Sequence, residues 1–289
     1  MSKKSIWFII NPKAGSKKGL SIQSLIDDLI DKKNYAHQCI FTEYAGHGSE
    51  LAKDAVKQKI TTVVAVGGDG TINEIAKELI DSQTALAIIP TGSGNGLARE
   101  LGISLNPKKA ILQALKGSKK QIDTCFINKI PFFCSAGMGF DAHCAKKFAE
   151  NSGNRGFLNY VKIALSQYFT FEPLNINFAG IDYQAFSLSF GNARQFGNNA
   201  FITPNAEIND GYFDIMLIKK HPFFMGGWLT WQLFAKNIDT SNFSEQYRSN
   251  KIVVTAKQNI LIHFDGEPKQ LNTNKIEVSI KEKCLNLIC

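Results

Sequence analysis

Short apolar runs alternate with segments of helical spacing through the first third of this chain, and that alternation constrains the fold more than any other feature. Residues 6–10 form an apolar run that stops at Asn11-Pro12. Further runs lie at 38–42, 61–66 and 85–89; the run at 61–66 is β-branched and the one at 85–89 is stopped by Pro90. Between them, Ile22, Leu25, Ile26, Leu29 and Ile30 recur at helical spacing. Leu51, Ala52, Ala55 and Val56 share one helical face, as do Ile72, Ile75, Ala76, Leu79 and Ile80. A last helix follows from about Leu97. The order βαβαβαβα specifies a doubly wound, mostly parallel sheet with helices on both faces. Such sheets bind ligands beyond the carboxyl ends of their strands.

Three of those ends are glycine-rich, at residues 11–19, 67–70 and 92–96. Gly67-Gly68-Asp69-Gly70-Thr71 leads straight into a helix, where Thr71 and Glu74 have capping-box spacing. A plain turn needs one glycine; more of them let the backbone approach an anion, with the N–H groups of the helix start facing it. Asp69 would repel a phosphate unless Mg²⁺ lies between them or the carboxylate takes a proton from an attacking hydroxyl. Pro90-Thr91-Gly92-Ser93-Gly94-Asn95-Gly96 repeats the arrangement one strand on. It is neither a Walker A loop nor a dinucleotide fingerprint. Gly137-Met138-Gly139-Phe140-Asp141-Ala142 does fit G-x-G-x-x-A. No strand closing on an acidic residue follows it, so it reads as a glycine-rich turn beside a substrate pocket.

The core chemistry changes near residue 125. Of 21 phenylalanines, only Phe8 and Phe41 precede that position. An α/β domain over 1–124 followed by a second domain over 125–289 is expected. In the second half, residues 132–135, 185–190, 213–218, 251–255, 259–264 and 276–280 are β-prone runs separated by turns such as Asp210-Gly211. Asp210 and Asp214 suit either an ion site or a solvated turn before a strand. Asp265-Gly266-Glu267 has the spelling of a hairpin turn. Residues 221–235 carry Phe223, Phe224, Trp228, Trp231 and Phe234. They read as a helix packed on the second domain, or as an interfacial segment.

The net charge of +8 favours anionic partners. No recognition-helix or aromatic RNP motif is present, which sets nucleic acid aside. Six cysteines match no zinc or disulfide spacing. The apolar run at 6–10 is too short for a signal h-region, and no stretch reaches the length of a bilayer span. A cytoplasmic protein, peripheral to the inner face of the membrane, is expected.

The motifs together resemble the diacylglycerol kinase catalytic-domain family, which includes bacterial lipid kinases and sphingosine kinases. Gly67-Gly68-Asp69-Gly70-Thr71 with Asn73-Glu74 matches its signature. Asn11-Pro12 with Gly15, Thr42-Glu43 with Gly46-His47, residues 89–96, Asn209-Asp210-Gly211 with Asp214, and Asp265-Gly266-Glu267 follow in the family's order. Asn95-Gly96 stands where bacterial diacylglycerol kinases commonly carry Asn-Asp, and is spelled more like a sphingosine kinase.

The resemblance implies an antiparallel β-sandwich for the second domain and an active site in the cleft between domains. It implies an ATP- and Mg²⁺-dependent lipid kinase acting on diacylglycerol, a sphingoid base or a related lipid at a membrane surface, and allows a homodimer. ATP would be held by Asn11, Thr42, Gly67, Gly68, Asp69, Gly70, Thr71, Ile72, Asn73, Gly92, Ser93, Gly94 and Asn95. Arg155 is either a further ATP contact or a solvated loop arginine. Asp69 and Glu267 would be the catalytic carboxylates. Asp210 would hold a metal ion through its carboxylate, with help from the backbone near Glu207 and Tyr212. Asp141 would hold the lipid headgroup, a role that a two-residue slip would pass to His143. The alternatives are an NAD kinase-like phosphotransferase and a non-catalytic nucleotide- or lipid-binding regulator.

Overall fold

Apolar residues on both faces of a strand require cover on both sides, and the central strands of the first half are built that way. The computed structural model describes residues 3–14, 19–151 and 157–289. Its first elements are β1 (Lys4–Ile10), α1 (Gly19–Leu29), β2 (Tyr35–Phe41), α2 (His47–Lys57), β3 (Thr62–Gly67), α3 (Asp69–Leu79), β4 (Ala85–Pro90), α4 (Gly96–Glu100), α5 (Pro107–Lys116) and β5 (Lys119–Ile127). β1 pairs in parallel with β2 and β3, and β3 with β4. Every residue of β3 and β4 is buried, whereas β2 at the edge is not. α5 starts on Asn106, whose side chain accepts the Lys109 N–H (3.2 Å), with Pro107 at the first helical position.

The chain divides into two compact units, Met1–Asp123 with Glu282–Cys289, and Thr124–Lys281. The C-terminal segment belongs to the first unit. Leu287 aligns in parallel with Leu86 of β4. Cys289 and Ser118 exchange backbone hydrogen bonds (3.0 and 3.2 Å), and the Asp81 N–H donates to the Cys284 carbonyl (2.8 Å).

The second unit contains β6 (Ile130–Phe132), β7 (Ser135–Gly139), α6 (Phe140–Glu150), α7 (Phe157–Tyr168), β8 (Leu174–Phe178), β9 (Ile181–Gly191), β10 (Gln195–Gly197), β11 (Ala200–Phe201) and β12 (Phe213–Lys219). It continues through α8 (Gly226–Ala235), β13 (Ser244–Ser249), β14 (Lys251–Ala256), β15 (Leu261–Phe264), β16 (Glu267–Gln270) and β17 (Lys275–Ile288), whose last residues are those of the first unit. The pairing inside the unit is antiparallel. The long β9 joins its parts: one half pairs with β8, the other with β7, and β12 runs along the opposite edge. Phe132, Phe178, Phe190 and Phe213 fill this core with Ile, Leu and Val side chains. This is the expected α/β unit followed by a β-sandwich.

One local expectation fails. α3 starts at Asp69, so Thr71 is its third residue rather than its cap, and the capping box with Glu74 does not form. Instead the Thr71 hydroxyl accepts from Asn11 Nδ2 (2.9 Å), and Glu74 accepts the Gly46 N–H (3.0 Å). Residues 221–235 include a helix, α8, with one face packed on the second unit and the other exposed. Leu229 and Gln232 of α8 are buried, while Phe223, Phe224, Trp228, Trp231 and Phe234 are exposed.

Candidate functional site

Parallel strands deliver their carboxyl ends to one edge, so the fold itself gathers the expected nucleotide residues. Asn11 follows β1, Thr42 follows β2, Gly67 closes β3, and Thr91 follows β4. Backbone hydrogen bonds tie these ends laterally: Asn11 N–H to Val66 (2.9 Å), Thr42 N–H to Ile10 (2.9 Å) and Thr91 N–H to Gly67 (2.8 Å).

The two glycine loops face each other at close range. A Cβ at Gly92 would lie 2.7 Å from the Gly68 Cα, and one at Gly67 would lie 2.5 Å from the Thr71 Cβ. No side chain fits there without moving backbone or the helix start. Asp69 bolts the loops together. Its Oδ2 accepts the Asn95 N–H (2.9 Å) and its Oδ1 accepts the Gly96 N–H (2.8 Å). Its carboxylate thus caps the second loop, which resolves its place in a region that should welcome anions. Asn95 has positive φ (52°), and its Nδ2 donates to the Gly92 carbonyl (2.8 Å). Arg99 Nε donates to the Gly94 carbonyl (3.0 Å). Among the described residues, buried Asn95 Oδ1 and Thr91 Oγ1 have no hydrogen-bond partner. Such atoms call for a ligand or water. Gly70, Ile72 and Asn73 occupy the first turns of α3, whose opening N–H groups have no helical acceptor. Ser93 is exposed on the second loop. These features fit a polyphosphate.

In the second unit, Asp141 sits at the start of α6 in a buried polar cluster. Its Oδ2 accepts from Ser189 Oγ (2.9 Å) and His263 Nε2 (3.0 Å), and its Oδ1 accepts the Ala142 N–H (2.9 Å). Gly137 leaves room for this cluster, since a Cβ there would lie 2.6 Å from Asp141 Oδ2. The G-x-G-x-x-A sequence therefore serves an antiparallel strand, β7, and not a dinucleotide fold. Burial, reinforced by the charge of Asp141, pushes the Cys144 thiol up to about 12, so it stays protonated. A pocket of about 570 Å³ lies alongside, lined by Met138, Phe171, Leu174 and Ile260 with His143 and Gln167 among the polar groups. His143 is bonded to Gln167 (2.9 Å), away from the Asp141 cluster.

Asp265 and Gly266 both have positive φ and form the two-residue turn between β15 and β16. Asp265 accepts the N–H groups of Phe133, Cys134 and Ser135 (2.8, 2.8 and 3.0 Å), which fixes the turn. Glu267 is exposed at the start of β16.

The residues expected around a cation, Glu207, Asp210 and Tyr212, lie on the segment that leads into β12. Asp210 is ion-paired with Arg248, its Oδ1 accepts the Tyr212 N–H (3.0 Å), and the Arg248 guanidinium lies over the Tyr212 ring. Glu207 is near Asp214, whose carboxyl is pushed up by burial; the Gln246 hydrogen bond opposes this and the charge of Glu207 adds to it. Among the described residues no group of three His, Cys, Asp or Glu could hold a metal ion. Gly15 and Arg155 lie outside the described residues. Sequence reasoning missed Ser189, His263, Arg99 and the true role of Glu74. Only His263 carried a signal, lying two residues before the Asp265-Gly266 turn.

A parallel sheet with two locked glycine loops on its carboxyl edge, followed by an antiparallel sandwich unit, defines a two-unit phosphotransferase. Residues 5–127 match the diacylglycerol kinase catalytic domain, and residues 134–289 match the YegS C-terminal NAD kinase beta sandwich-like domain. "Probable lipid kinase YegS" of Escherichia coli O9:H4 is 30% identical, over 81% of this chain and 80% of its own length. "Probable lipid kinase YegS-like" of Alcanivorax borkumensis is 26% identical, over 96% of this chain and 94% of its own. A crystal structure of a diacylglycerol kinase from Bacillus anthracis shares the fold, with a TM-score of 0.74 at 18% identity over 100% of this chain and 97% of that one. The chain belongs to the diacylglycerol kinase catalytic-domain family, in its YegS-like branch of paired domains, and is a kinase.

Proposed function

We propose that this kinase transfers the γ-phosphoryl group of ATP to a hydroxyl of a lipid, such as diacylglycerol or a sphingoid base. The observation that carries the reading is the pair of facing glycine loops held by Asp69 at the carboxyl edge of the parallel sheet. Residues 67–73 and 92–95 hold the phosphates, with Asn11 and Thr42 bordering the nucleotide. Asp69 keeps the two loops in register, a positioning role in place of the proton-accepting one its motif suggests. Glu267 accepts the proton of the attacking hydroxyl. Asp141, oriented by Ser189 and His263, holds the acceptor's polar end. A nucleotide-bound Mg²⁺ would supply charge neutralisation for the transferred group. The names of the relatives support the lipid acceptor.

Incubation with γ-labelled ATP and a panel of diacylglycerol, sphingosine, ceramide, undecaprenol and NAD tests this. Label should appear in one of the lipids. Label in NAD alone, or in none of them, would overturn the reading.

A further inference from the structure

Two segments of the second unit leave large apolar side chains in water. On α7 and its C-terminal end, Leu158 is 77% exposed and Phe169 72%, and Leu165 is exposed as well. Just before and along α8, Phe223 and Phe224 are 66% and 71% exposed, and Trp228 and Trp231 are about half exposed. The segments form one surface. The Phe169 and Phe223 rings are 5.7 Å apart, and Trp228 stacks on Trp231 at 4.7 Å. Gly226 at the start of α8 lies against the Tyr168 ring, where a Cβ would come within 2.5 Å. Scattered exposed hydrophobes need no explanation, but a contiguous patch of aromatics marks an interaction surface.

Within the two segments the charge has one sign; Glu172 and Asp239 lie just beyond them, Lys219 is paired with Glu245 of β13, and the Lys236 ammonium lies over the Phe201 ring. No Asp or Glu occurs from residue 157 to 171 or from 215 to 238, whereas Lys162, Lys219, Lys220 and Lys236 do. Lys162, Lys220 and Lys236 are exposed. A second copy docking through the same patch would set its own apolar-and-basic surface against an identical one, with no carboxylate in either segment to pair with the lysines. An anionic lipid surface complements both features: aromatic rings enter the interfacial layer and lysines meet the headgroups.

We propose that the ends of α7 and α8 form a membrane-docking surface that seats the enzyme on anionic lipid, through Phe169, Phe223, Phe224, Trp228 and Trp231 with Lys220 and Lys236. This deepens the lipid-acceptor reading and rests on it only for its purpose, since docking is measured without turnover.

The full chain is sedimented with vesicles of phosphatidylcholine alone and with added phosphatidylglycerol, and tryptophan emission is followed. Binding should need phosphatidylglycerol, weaken with salt, and shift the emission to the blue. The Phe224→Ser/Trp231→Ser variant should keep the parental Tm and bind roughly tenfold or more weakly. Lys220→Gln/Lys236→Gln should bind roughly tenfold more weakly and lose much of the salt dependence. Phosphorylation of a short-chain acceptor dispersed in detergent should be unchanged in both variants. Binding that is absent, that is equal in the folded variants, or that is replaced by a concentration-dependent dimer in the ultracentrifuge overturns the proposal. Vesicle binding without label transfer to any lipid would count against the acceptor reading and leave the docking surface standing.

Discussion

Replacing Asp69 with Asn separates a loop-positioning carboxylate from a proton acceptor. The carboxylate accepts two backbone N–H groups, those of Asn95 and Gly96 (2.9 and 2.8 Å). Hydrogen bonds to a charged group contribute about 1.5–3 kcal/mol each. Asparagine keeps one oxygen and turns an NH₂ toward the other N–H, so one bond is lost and two donors meet. The cost should be about 2–3 kcal/mol, which for a chain of this length lowers Tm by roughly 3–5 °C. Calorimetry gives Tm, and steady-state kinetics with ATP varied gives kcat and KM. A displaced second loop raises KM for ATP and lowers kcat together, and the acid limb of the pH–rate profile persists. Loss of a general base would instead lower kcat by about 100-fold or more with KM for ATP unchanged and the acid limb gone. A Tm within about a degree of the parent, combined with the base-loss kinetics, would refute the positioning argument. Gly94→Ala probes the same contact, since its Cβ would lie 2.8 Å from Asp69 Oδ2. The double variant should therefore be less destabilised than the two single effects added together.

Gly92→Ala forces a methyl against the Gly68 Cα, so it should cost about 1–3 kcal/mol and weaken nucleotide binding. Gly227→Ala, with open space around its Cβ inside α8, should stabilise by about 0.5–1 kcal/mol, and calorimetry of the pair compares the two environments directly. Glu267→Gln should lower kcat by about 100-fold or more with Tm unchanged, because the side chain is exposed at a strand start; near-normal turnover removes Glu267 from the mechanism. His221 gives a pH signature. Its Nδ1 donates to the Lys219 carbonyl (2.9 Å) and the Tyr168 hydroxyl donates to its Nε2 (2.7 Å). Burial holds its pKa below the ordinary 6.5, against the opposing pull of the Lys219 carbonyl. Because the folded pKa is depressed, the stabilisation is complete above the ordinary value and is lost as pH falls through the folded one. Tm should drop on acidification from pH 7 through that range, and less so in His221→Phe; parallel Tm–pH curves for the two proteins would show that His221 is not the titrating group.

The sequence alone determined the class of fold and the edge at which the nucleotide loops lie. Period, β-branching and glycine placement act between near neighbours, so residues 61–66 and 85–89 announce two buried strands and their loops without help from the rest of the chain. It also flagged Asp265-Gly266 as a turn, because two adjacent positive φ values favour that dipeptide. What each polar side chain does was decided only by tertiary structure. Asp69 reaches Asn95 and Gly96 across two strand ends, 26 and 27 positions away. Glu74 leaves its own helix end for Gly46, and Asp141 meets His263 from 122 positions away. Arg248 pairs with Asp210 from β13, 38 positions away, a partner that spacing alone did not reveal. The aromatic second half is divided in the same way. Phe190 and Phe213 enter the core while Phe223 and Phe224 face water, and no local pattern separates them, because burial depends on which remote strand or helix arrives to cover each ring.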